Sequence, residues 1–240
     1  MGSNLSFKFA VFLCAIFCFG YALAQDGNVS DKKDSPESQE MSRALEMVKA
    51  GDLGGAEKLL KGLIAKMPSS WKPVNEFPDR IEVAFWDRES FMQCSPEMAQ
   101  KSGKKIEWIW PNYANVYYYL AYIEVERKNY DSALTYLELA KAIEPNHPSI
   151  YTEKGYILAG QRKLSEAYES YKKAEVSSPC MSSHVRAVIL RGKGYVLIDL
   201  GRLDEAEGMF KSSLEIEPDN KIAKNELGYI EDLRKRQTVQ

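Results

Sequence analysis

Cys180 and His184 stand at C-x3-H spacing, half of a zinc-ligand set that would need two further donors. The sequence supplies few. The other histidine is His147, in a PNHP stretch, and the remaining cysteines are Cys14, Cys18 and Cys94. No further Cys/His set accompanies the pair, so neither a metal nor any other cofactor is implied. Cys94 with His184 would make a thiol nucleophile and its base only if the fold brought them together. No catalytic signature surrounds either residue, so a hydrolase or metal site is the remote reading and catalytic residues are not expected. The abundant Glu and Lys read as solvated helix faces rather than acid–base machinery.

The compartment decides what the thiols do. Lys8 is the only charge before a 16-residue apolar run, Phe9 to Ala24, which ends in Ala22-Leu23-Ala24. A basic start, a short apolar core and an A-x-A end make residues 1–24 a secretory signal peptide cleaved before Gln25. The run is shorter than the roughly 20 residues needed to span a bilayer, so no membrane span is expected in the mature chain. The start MGSNLS also fits a myristoylation pattern, but the apolar run accounts for more residues. Cys14 lacks the small residue expected just before a lipidated cysteine. The expected location is therefore outside the cytoplasm, periplasmic or secreted. Cleavage leaves Cys94 and Cys180, which in an oxidising compartment are able to form one disulfide. Two unrelated buried thiols are the alternative, and spacing does not choose between them. Residues 25–36 are polar and expected to be disordered. With a net charge of −2 and no long basic block, nucleic acid is not an expected partner.

The elements that must position any site come in copies. Three blocks stack: YDSALTYLELAKAIEP (130–145), LSEAYESYKKAEVSSP (164–179) and LDEAEGMFKSSLEIEP (203–218). Ala133, Ala167 and Ala206 advance by 34 and then 39, and so do Pro145, Pro179 and Pro218. The pattern A-x3-[FYL]-x2-[AS]-x4-P at a 34-residue period resembles the tetratricopeptide repeat, a pair of antiparallel helices. Small residues let the helices approach, an aromatic fills the gap, and proline ends the second helix. The first helices fall at about Tyr113–Arg127, Pro148–Gln161 and Val185–Leu200, with Gly160 and Gly201 expected at the turns. The longer second step places five extra residues near 179–184.

Residues 50–68 repeat the same spacings with Ala56, Leu60, Leu63 and Pro68, after a helical SRALEMVKA. The resemblance implies an all-α, right-handed α-solenoid. Its units are a divergent N-terminal one (37–70), three repeats (114–147, 148–186 with the extended loop, 187–220) and a capping helix with a tail (221–240). Lys154 and Lys193 stand where the family usually has Leu; their stems can pack while the amines reach water. Between the units, residues 71–113 are not a repeat and hold all four tryptophans, Trp71, Trp86, Trp108 and Trp110. IEVAFW (81–86) and KIEWIW (105–110) read as strands, able to form a β-hairpin, with turn residues and one short helix between.

By resemblance, Ala121, Gly155, Gly194 and Gly228 are the small helix-contact positions. The next residue lies about 100° further round the helix, which in this family points into a concave groove. Tyr122, Tyr156, Tyr195 and Tyr229 should then form a ladder there, with Tyr118 and Arg191 one turn earlier and Glu126 and Asp199 one turn later. Such a lining suits a protein or peptide segment. The family's carboxylate clamp for chaperone tails is absent, because its positions carry Tyr118, Tyr122, Glu153, Val188 and Gly192. The expected function is thus a non-catalytic, exported adaptor or scaffold. The rival is a structural, self-associating envelope protein whose tryptophan-rich insertion forms the interface.

Overall fold

Helix starts follow from side chains able to take up orphan backbone N–H groups. Ser35, Asp52, Asp87, Asn112 and Ser182 each accept from the backbone N–H three residues on. The computed structural model describes residues 35–238, so the expected signal peptide and residues 25–34 lie outside the described residues. Within them, Ser35 and Pro36 belong to the first helix rather than to a linker. The elements run α1 (Pro36–Ala50), α2 (Leu53–Ala65), β1 (Val74–Glu76), β2 (Arg80–Val83), α3 (Arg88–Ser102), β3 (Lys105–Trp108), α4 (Tyr113–Glu126) and α5 (Tyr130–Ile143). They continue with α6 (Pro148–Gly160), α7 (Leu164–Val176), α8 (Ser183–Asp199), α9 (Leu203–Ile216) and α10 (Lys221–Thr238). Among the described residues no helix is long and apolar enough to cross a membrane.

Helices pair as α1/α2, α4/α5, α6/α7 and α8/α9, and successive pairs stack into a solenoid. The left-handed residue that turns each pair falls at Gly51 (φ 81°), Lys128 (63°), Arg162 (62°) and Gly201 (74°). The turn in the second repeat is therefore made by Arg162, while Gly160 is the last residue of α6. The small positions do what close helix approach requires. Tyr171 of α7 is wedged between Gly155 of its own repeat and Gly192 of the next; a Cβ there would lie 2.9 Å and 2.3 Å from its ring. Phe210 of α9 closes on Gly194 in the same way, at 2.7 Å. In the first repeat Ala121 packs in one cluster with Ala133 and Leu137.

Gly228 departs from this expectation. It is exposed, and a Cβ there would meet nothing within 4 Å. The physical reason is that α10 packs on α9 through Ala223 and Ile230, and no second helix follows among the described residues to fill the opposite side. Gly228→Ala should accordingly raise stability by about 0.5–1 kcal/mol, the helix-propensity difference. Gly192→Ala should lower it by about 1–3 kcal/mol through overpacking. Paired thermal melts would check both.

Lys154 and Lys193 keep their stems against the repeat, but their amines end on carboxylates rather than in open water. Lys193, 7% exposed, lies 3.0 Å from Glu175, and Lys154 lies 3.5 Å from Glu138.

The 71–113 segment forms a small α/β module. β1 and β2 are an antiparallel hairpin, and β3 joins β2 in parallel, with Val83 opposite Trp108. The two strands expected from sequence are thus neighbours but not a hairpin, because α3, fifteen residues long, crosses between them and reverses the direction. Its core is Val83, Phe85, Phe91, Cys94, Ile106 and Trp108. The module leaves the stacking of the repeats intact: Leu60 and Leu63 of α2 pack directly with Val116, Leu120 and Ile123 of α4.

Candidate functional site

The insertion is fastened along the N-terminal ends of the first helices of all three repeats. Asn112, the cap of α4, donates to Ala84 O (2.5 Å) and to Glu144 Oε1 (2.6 Å). The Trp86 indole donates to Glu144 Oε2 at 2.7 Å and stacks on His147, the cap of α6, with ring centroids 3.5 Å apart. Burial raises the Glu144 carboxyl, partly offset by these two hydrogen bonds, and burial pulls His147 down to about 3, so its ring is neutral. Glu89 accepts from Ser183 N (2.7 Å) and Ser183 Oγ (2.6 Å) at the start of α8, where a carboxylate is favourable. Beside it Cys94 of α3 and Cys180 form a disulfide with Cα atoms 5.7 Å apart. Neither sulfur is a free nucleophile, and the C-x3-H pair dissolves: His184 Nδ1 lies 2.7 Å from Glu217 instead.

The eight expected groove residues separate into two groups. Tyr118, Tyr122, Tyr156, Tyr195 and Asp199 lie on one face of the first helices and Tyr229 on α10, each partly or largely covered, with Tyr122 only 7% exposed. Glu126 is exposed on the same face. Arg191 is a correction. It is fully buried between α8 and α9, donating to Ser213 Oγ (3.0 Å) and Glu217 Oε2 (2.6 Å). Burial alone would raise Glu217, but His184 and Arg191 outweigh it and pull the carboxyl to about 2. Ser213 and Glu217, in and just after α9, thus turn this arginine inward, where it ties α8 to α9.

The tyrosines are tied to carboxylates. Tyr118 donates to Glu153 of the next repeat at 3.4 Å, and Trp86 meets the Tyr118 ring edge-on at 5.4 Å. Tyr122 hydrogen-bonds Glu126, and Tyr195 hydrogen-bonds Glu226 of α10. Tyr130 brings its hydroxyl over Gly160, 3.3 Å from where a Cβ would be. Desolvation, then the carboxylate charges, push Tyr118, Tyr122 and Tyr156 well above the ordinary phenol range. Burial raises Glu153 as well; the Tyr118 hydroxyl pulls it back, the Glu126 charge adds to it, and the result is about 7. Asp199 is raised by burial against the opposing charge of Arg162, 2.6 Å away.

Sequence reasoning missed Glu153 and Glu226 as partners of the tyrosines. The signal was present as E-x-G-Y in EKGY (153–156) and ELGY (226–229), which puts a carboxylate one turn before the tyrosine. The third repeat has GKGY (192–195), because Gly192 must admit Tyr171 there.

The Glu153 shift has a testable consequence. The folded state holds this proton more tightly than the unfolded chain, so stability falls as pH rises from 4.5 to about 7. His147 contributes the opposite slope between 6.5 and about 3, but that cancels in a comparison with Glu153→Gln. The variant should gain stability relative to the parent across the Glu153 window, read as urea midpoints at its two ends.

The tetratricopeptide repeat family profile matches residues 114–147 and 192–220. This chain carries tetratricopeptide repeats. The tetratricopeptide stack resembles the solved structure of Pseudomonas aeruginosa PilF at 15% identity and a TM-score of 0.57, over 85% of this chain and 70% of that one. It also resembles PilW, a type IV pilus biogenesis factor, at 17% identity and a TM-score of 0.56, over 82% and 69%. At such identities the likeness is one of fold. Human protein O-mannosyl-transferase TMTC1 is 28% identical over 124 residues, 50% of this chain; the tetratricopeptide chain spans 14% of that relative's length.

Proposed function

We propose that the protein is an exported, non-catalytic scaffold that holds a protein or peptide segment along the face of its first helices. What supports this reading is the recurrence of tyrosines along the first helices of successive repeats, Tyr118, Tyr122, Tyr156 and Tyr195. The partly exposed rings of Tyr118, Tyr156 and Tyr195 offer rigid apolar area, and the carboxylates that hold the Tyr118 and Tyr195 hydroxyls fix ring orientation before a partner arrives. Such preorganisation lowers the entropic cost of binding. The Cys94–Cys180 bridge favours an oxidising compartment for the chain.

The insertion supports this reading over a self-associating one. Trp108 is buried and hydrogen-bonds Phe85 O, Trp71 packs edge-on against Tyr113, and Trp86 is engaged by Glu144 and His147. These rings serve the chain's own packing and present little area to a second copy.

The test is affinity capture from the native envelope fraction with the parent chain and with Tyr156→Ala/Tyr195→Ala. Loss of specific partners from the variant, with its helical circular dichroism kept, supports the reading. Equal recovery of the same partners by both proteins overturns it.

A further inference from the structure

The step from Ala167 to Ala206 is 39 residues where the one before it is 34, and the longer loop holds Cys180. Helix pairing does not require the extra length. Cys180 and Met181 are neighbours in the chain that belong to different cores. Met181, 3% exposed, packs with Tyr171 and Ile189 of the repeats, whereas Cys180 lies against the core of the insertion and is bonded to Cys94 of α3. The loop thus stays seated in the stack while reaching out to hold the insertion.

The two sides of the insertion are held differently. On the near side, where the chain enters from α2 and leaves into α4, Trp71 and Trp110 pack on the apolar cluster shared by α1, α2 and α4. On the far side the hydrogen bonds of Trp86 to Glu144 and of Ser183 to Glu89 are joined by the Trp86–His147 stack and the bridge. Between the two sides the insertion has its own core, and inside it the Trp108 indole donates to Phe85 O at 3.0 Å. A unit with its own core, held by apolar packing at one edge and by polar contacts at the other, swings about the apolar edge when the polar one is freed.

We propose that the insertion is a strap hinged beside Trp71 and Trp110 and latched by the Cys94–Cys180 bridge, and that a dithiol reductant releases it, withdrawing Trp86 from His147 and Tyr118. A thiolate of the reductant attacks the sulfur of Cys180, the more exposed of the two residues, and Cys94 leaves as a thiolate that takes up a proton. The second thiol of the reductant then attacks the mixed disulfide. The reductant's two sulfurs join, and Cys180 leaves and is protonated. The bridge gains two electrons and two protons, and the dithiol loses them. The far side is then held by hydrogen bonds and one ring stack, which exchange with water at small net cost. Release uncovers Tyr118, whose ring Trp86 meets edge-on at 5.4 Å, and so lengthens the tyrosine face. That consequence rests on the groove reading above; the release itself does not.

The experiment follows the tryptophan indole N–H signals of the whole mature chain by nuclear magnetic resonance, before and after dithiothreitol, with Trp86→Phe and Trp108→Phe assigning the two signals that matter. In the oxidised chain the Trp86 and His147 rings should show cross-peaks. Reduction should abolish them and move the Trp86 signal toward that of an indole in water, while the Trp108 signal stays in place. Cys94→Ser/Cys180→Ser should give the reduced pattern without reductant, with helical circular dichroism confirming folding. Glu89→Gln with the bridge intact should leave Trp86 where it is, because the covalent latch remains. Joint movement of Trp86 and Trp108 would mean that the insertion melts rather than swings, and overturns the proposal. So does an unmoved Trp86 after reduction, a Trp86 freed by Glu89→Gln alone, or a bridge that alkylation shows to be untouched by dithiothreitol in the folded chain. No partner is needed for this readout. If Trp86 is released as expected and Tyr156→Ala/Tyr195→Ala captures the same partners as the parent, the strap stands and the groove reading alone falls.

Discussion

Cys94→Ser/Cys180→Ser should lower the unfolding free energy by about 4 kcal/mol, as expected for a cross-link across a long loop. The bridge spans 86 residues and joins α3 to the loop before α8, so the unfolded chain loses much freedom when it is closed. Reductant added to the parent should produce the same shift. Helical circular dichroism should change little in the folded variant, because α2 packs on α4 without passing through the insertion. Tryptophan emission should move to the red as Trp86 loosens from His147 and Glu144. A melting temperature indifferent to reductant would mean that the bridge places no constraint on the unfolded chain.

Phe210→Ala should cost about 3–5 kcal/mol, the usual range for emptying a fully buried aromatic site. Phe210 is 0% exposed and fills the space between α8 and α9 that Gly194 leaves, with Tyr195 edge-on at 5.4 Å. Gly194→Ala alone should also destabilise, since its methyl would fall 2.7 Å from the ring. In the double variant that collision is gone and part of the cavity is filled. The two changes should therefore fall short of additivity by about 1 kcal/mol or more, in the range seen for residues in contact. Strictly additive denaturant midpoints would show that the glycine and the ring are not one packing unit.

Much of this molecule is written locally. Ala133, Ala167 and Ala206, with the prolines that follow them, carry the period, because helix pairing needs a small residue and a stop at fixed offsets. Ser35, Asp52, Asn112 and Ser182 announce helix starts within three residues of themselves. Pro96, by contrast, sits inside α3, and a reader of local signals expects only a short helix there. β1 also went unread, being three residues without alternation, VNE, whose pairing depends on β2.

Residues whose role depends on a distant partner were decided by the tertiary structure. Arg191 and Tyr118 share one repeat position, yet Arg191 is drawn inward by Ser213 and Glu217 while Tyr118 stays on the face beside Glu153. Gly155, Gly194 and Gly228 share another, and Gly228 is left uncovered because among the described residues no helix follows α10. The sequence by itself determined the repeat, its period and the alignment of the tyrosines, since these depend on spacing along one helix. Only the tertiary structure decided that Cys94 meets Cys180, that Trp86 meets His147, and that Glu153 meets Tyr118 of the preceding repeat. Charge pairing and burial depend on which segments come together in space, and spacing along the chain does not encode that.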